Sequence, residues 1–74
     1  MTSALEITPD VAATAMKVAA EFREMPGMRL TEPQVKRLWS LSPAECDAVL
    51  GYLVDRGELT RDPAGRYSRP RSVY

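Results

Sequence analysis

The 74-residue chain has no histidine and one cysteine, and its ten basic and ten acidic residues cancel. Without histidine there is no imidazole for acid–base work. A single thiol can form neither an internal disulfide nor a zinc site of the ordinary ligand type. No apolar run approaches the length that spans a bilayer, and no basic-then-apolar leader opens the sequence. No membrane partner and a cytoplasmic location are therefore expected. The carboxylates Asp10, Glu21, Glu24, Glu45 and Asp47 fall on expected solvent faces, and no nucleophile has a base beside it. An enzyme is not expected, nor is a cofactor or small-molecule ligand. Zero net charge also counts against a free-standing nucleic-acid binder. The length suits one small domain, close to the size at which a single core suffices.

What is present centres on Leu30 to Gly57. Thr31 can cap a helix with Gln34 reaching back to it, and Ser42 can cap a second with Pro43 at its first position and Glu45 closing the box. Leu30 and Leu41, just before the caps, can staple onto Val35 and Cys46. Val35, Leu38 and Trp39 share one face of the first helix. Cys46, Val49, Leu50, Leu53 and Val54 share one face of the second, and Gly57 suits the left-handed position past its end. Cys46 on this stripe reads as a buried thiol.

Before this pair, Thr8 caps a helix from Pro9 to about Met25, with Val11, Ala15, Val18, Ala19 and Phe22 at helical spacing. It has too few basic residues for a membrane-surface helix. Pro26-Gly27 fits the centre of a type II turn, and Met28-Arg29-Leu30 reads as a brief strand with Arg29 outward. After the pair, Glu58–Arg61 and Arg66–Arg69 flank Asp62-Pro63-Ala64-Gly65, which gives a hairpin. Leu59 and Tyr67 are expected to face the core, with Arg61, Arg66 and Arg69 at or beyond the outer surface. Residues 1–7 form an arm, 8–70 the domain and 71–74 a tail.

The order is helix, strand, helix, helix, strand, turn, strand: an α+β chain, mainly α. The apolar set Val35, Trp39, Leu41, Cys46 and Val49 resembles the helix-turn-helix of DNA-binding proteins. Lys36 departs from it where a small residue is usual, and Ser40 where a turn glycine is common. Most of the chain is similar to small bacterial winged helix-turn-helix domains with a run that here reads Met25-Pro26-Gly27-Met28-Arg29-Leu30-Thr31, Arg37-Leu38-Trp39-Ser40-Leu41, Cys46, Leu50, Leu53-Val54, Gly57, Leu59 and Gly65-Arg66-Tyr67-Ser68-Arg69. The resemblance implies DNA as partner and a transcriptional regulator or accessory DNA-binding factor, with a homodimer or a partner protein to supply specificity.

Carried onto this chain, the second helix of the motif would present Ser42, Ala44, Glu45, Asp47, Ala48, Gly51, Tyr52 and Asp55 to the major groove. It offers no Arg, Lys, Asn or Gln for bidentate base contacts. Its acids equally suit a solvated face. Charge is divided along the chain, with five basic against eight acidic residues up to Asp55 and five arginines against two acids from Arg56 onward. Arg61, Arg66, Arg69 and Arg71 on the hairpin and tail, with Lys36 and Arg37 on the first motif helix, form the expected backbone-contact set. Pairing of Arg56, Arg61 and Arg66 with nearby acids is the competing account of the same arginines. The functional alternative is a protein-interaction module, docking through Tyr52 and an acidic rim that includes Asp55.

Overall fold

A computed structural model describes residues 9–70. Its elements are α1 (Pro9–Glu24), β1 (Arg29–Thr31), α2 (Glu32–Trp39), α3 (Pro43–Asp55), β2 (Thr60–Arg61) and β3 (Arg66–Ser68). The helices outweigh one three-stranded antiparallel sheet of order β1-β3-β2. This layout is consistent with the expected winged-helix-like arrangement. The expected Thr8 cap, the arm and the tail with Arg71 lie outside the described residues.

Each motif helix starts where its cap dictates. For α2, the Gln34 N–H donates to Thr31 Oγ1 at 3.4 Å, and the Thr31 N–H donates to Gln34 Oε1 at 2.8 Å. For α3, the Glu45 N–H donates to Ser42 Oγ at 3.1 Å, and the Ser42 N–H donates to Glu45 Oε1 at 2.9 Å. Both boxes satisfy helix N–H groups that would otherwise lack partners. Ser40 ends α2 in the left-handed region at φ 54°, where glycine would carry no Cβ penalty. Gly57, at φ 77°, follows α3. There the Glu58 N–H reaches the Leu53 carbonyl at 2.9 Å and the Gly57 N–H reaches that of Val54 at 3.0 Å, the two bonds of a Schellman motif.

Pro26-Gly27 does stop α1, but through a different turn. The Met28 N–H closes it on the Met25 carbonyl at 2.9 Å. Gly27 does not take the positive φ of a type II turn, whereas Gly57 and Gly65 do.

α1 packs on α3, and Ala15, Val18, Ala19 and Phe22 meet Val35, Cys46, Val49, Leu50, Leu53 and Leu59 in one core. Leu30, Trp39, Leu41 and Tyr67 are half-buried against it. Two apolar positions depart from expectation: Leu38 is 61% exposed and Val54 41%. An eight-residue α2 has room to bury only the Val35–Trp39 stripe, and Leu38 flanks it. Val54 is likewise displaced sideways from the Cys46–Val49–Leu50–Leu53 stripe of α3.

Candidate nucleic-acid interface

The exposed surface of α3 carries Pro43, Ala44, Glu45, Asp47, Gly51, Val54 and Asp55, with no cation in the helix. Ser42, its cap, is exposed too. Ala48 is a correction: expected on the outer surface, it is 5% exposed and offers nothing to a groove. Its single methyl stands lower than Glu45 and Tyr52, the larger side chains one turn away on the same side. Tyr52 is half-buried rather than outward. The Arg56 guanidinium lies 5.3 Å from its ring centroid and donates to its hydroxyl at 3.5 Å. Asp55 remains exposed.

In the hairpin, Asp62 organises the turn. Its Oδ1 accepts from the N–H groups of Ala64 and Arg66, each at 2.9 Å, while Arg66 Nε donates to Oδ2 at 3.2 Å. Those bonds, the Arg66 N–H first among them, hold the Asp62 carboxyl below the usual aspartate range. Glu58 is shared between Arg23 at 3.1 Å and Arg56 at 3.2 Å. Both acids that follow Asp55 are thus occupied. Arg29, Lys36, Arg37, Arg61 and Arg69 make no ion pair among the described residues.

Arg61, Arg66 and Arg69 are exposed as expected, and the sheet register shows from which side of the hairpin Arg61 and Arg66 leave. Leu30 faces Tyr67, and Tyr67 faces Arg61, so all three project from the same side. That is the inner side, because Leu59, two residues before Arg61, is buried at 2%. Arg61 leaves on that side but stays exposed, with a terminal guanidinium nitrogen beside Gly65 in the turn, and its charge acts on Glu32. Arg66 does project outward as expected.

Glu32, Asp47, Lys36 and Arg61 form a mixed cluster where α2, α3 and the hairpin meet. Hydrogen bonding with the Asp47 carboxyl, then burial, raises the pKa of Glu32, while Lys36 and Arg61 oppose the shift. Beneath them the Cys46 Sγ donates to the Glu32 carbonyl at 3.7 Å. Burial first, then the charges of Glu32 and Asp47, pushes the thiol from 9.0 up to about 11.

This gives stability a pH dependence. The unfolded thiol loses its proton near pH 9.0, whereas the folded one keeps it until about 11. The contribution is intact below pH 9 and is lost as pH rises toward 11. Two pH units correspond to ~3 kcal/mol, which solvent screening in so small a domain reduces to about 1–2 kcal/mol. Urea unfolding across this range should show that loss, and Cys46→Ala should flatten it. The Tyr67 phenol, also raised by burial, acts in the same direction at higher pH.

Comparisons with protein-family models, with curated proteins and with solved structures find no match to this chain. Function must be argued from the surface itself.

Two features of that surface escaped the sequence reading. Glu21, Met25, Met28, Leu38 and Trp39 line an open apolar groove of about 350 Å³ at the far end of α1. Its members come from two helices and a turn, so no single periodicity marks it. Arg29 was expected to point outward, but its neighbours depended on which strand β1 joined. Among the described residues there is no group of acids, cysteines or histidines suited to a metal ion. None of the described helices is long and apolar enough to cross a membrane.

Proposed function

We propose that the chain is a winged helix-turn-helix protein that binds DNA by gripping the phosphate backbone, acting as a transcriptional regulator or accessory DNA-binding factor. The supporting observation is the disposition of charge. Both acids that follow Asp55 are engaged, while Arg29 and Arg69 make no ion pair among the described residues. Guanidinium groups complement phosphate oxygens geometrically as well as by sign. Base readout by α3 is not part of this reading, because its exposed side carries Glu45, Asp47 and Asp55 and the helix has no cation of its own. Such a protein discriminates by shape, or through a second copy or partner.

The test is fluorescence anisotropy with a labelled random duplex at several salt concentrations. Binding should weaken steeply with salt, and Arg66→Ala with Arg69→Ala should reduce the slope by about 2. Unchanged affinity and slope in that double variant would remove the hairpin from the interface. A protein-interaction module is the second reading, favoured by the exposed apolar groove around Met25 and Leu38. It is the reading left standing if the duplex is not bound at low salt.

A further inference from the structure

The sheet has two faces of opposite character. In register, Arg29 faces Ser68 and Ser68 faces Thr60, so one row crosses all three strands. The next row on that face pairs Thr31 with Arg66. Leu30, Tyr67 and Arg61 alternate with these residues and project to the other side, which the buried Leu59 identifies as inner. The outer face is thus two arginines and three hydroxyls, with the Asp62 carboxylate, across from Arg66, at its hairpin end.

Not all of these groups are available. The Thr31 hydroxyl is committed to the α2 cap. Arg66 uses Nε on Asp62 at 3.2 Å, which leaves its two terminal amino groups. The Arg29 guanidinium and the side-chain hydroxyls of Ser68 and Thr60 have no hydrogen-bond partner among the described residues. Strands lie roughly 4.8 Å apart, so this row spreads its free donors over about 10 Å. Guanidinium and hydroxyl donors facing one way suit a partner whose surface oxygens only accept, as phosphodiester oxygens do. The exposed side of α3, with Glu45, Asp47 and Asp55, has the opposite sign.

We propose that the outer sheet face, with Arg29 as its principal contact, is the surface that lies along the backbone of duplex DNA. The acidic side of α3 then stays out of the groove. This rests on the DNA-binding reading and assigns it a face that differs from the helix-turn-helix side carrying Lys36, Arg37 and Arg61. Arg29 and Arg61 separate the two docking modes, since they project from opposite sides of one small sheet.

The experiment uses the full chain and a labelled random duplex, with anisotropy titrations over a salt series. Arg29→Ala is compared with Arg61→Ala and with the pair Lys36→Ala, Arg37→Ala, and circular dichroism checks that each is folded. Arg29→Ala is expected to weaken binding several-fold at low salt and to reduce the salt slope by about 0.9. Arg61→Ala and the helix pair should leave both nearly unchanged. Thr60→Val with Ser68→Ala should weaken binding without altering the slope, because hydroxyls release no counterions. An unchanged slope in Arg29→Ala overturns the assignment, and a loss confined to the other variants moves the contact to the helix-turn-helix side while DNA binding stands. No salt-dependent binding by the unaltered protein defeats DNA binding itself, and this inference with it.

Discussion

Phe22→Ala is expected to cost the fold about 3–5 kcal/mol, the largest loss from any single core truncation here. Phe22 is 1% exposed and heads the fully buried side chains by volume. It projects from α1 into a core otherwise built of alanine, valine, leucine and the Cys46 thiol. Truncating a buried phenylalanine costs about 3–5 kcal/mol, since the transfer energy is lost and the cavity collapses only in part. A domain of this length has roughly 4–11 kcal/mol of total stability, so the change removes much of it. The described residues contain no disulfide, as Cys46 is free, and nothing covalent offsets the loss. Urea denaturation followed by circular dichroism would give the difference. A cost under about 1 kcal/mol would mean that the ring is not where α1 meets α3.

Leu59→Ala should act more locally, and it bears on function. Leu59 is 2% exposed and enters the core directly before β2. Its N–H and that of Glu58 both donate to the Leu53 carbonyl, at 3.3 and 2.9 Å, so this point ties the hairpin to the end of α3. A cost of about 2–5 kcal/mol is expected for removing a buried leucine side chain. Hydrogen exchange should quicken first at the amides of Asp62 and Arg66, which donate across the hairpin to the Arg66 carbonyl and to Asp62 Oδ1, before those of α1 and α3. Equal acceleration everywhere would mean that hairpin and helices unfold as one unit and that Leu59 is not a separable anchor.

Much of this architecture was legible because its signals are local. Thr31 with Gln34 and Ser42 with Glu45 announce helix starts within four residues, and Gly57 and Gly65 sit where backbones need positive φ. Asp62 and Gly65 mark a turn without reference to the rest of the chain. Side-chain direction was less accessible. Leu38 and Ala48 each obeyed or broke a helical wheel according to what neighbouring elements covered, which periodicity does not contain. The site was harder still. Neither the approach of Glu32 to Asp47 across two helices nor the Arg29–Ser68–Thr60 row can be read until the strand order is known. The order β1-β3-β2 joins segments nearly forty residues apart, and no local pattern encodes it.

That strand order also governs when the sheet can come into being. β3 is the middle strand, and the pairings run from β1 to β3 and from β2 to β3. A nascent polypeptide that has emerged only as far as Gly65 therefore holds all three helices but not one strand pair. Until Arg66, Tyr67 and Ser68 follow, β1 waits unpaired and Leu59 has no hairpin to anchor. The last described strand to be synthesised is the one that completes the sheet, so closure of the domain follows translation of this segment rather than accompanying it.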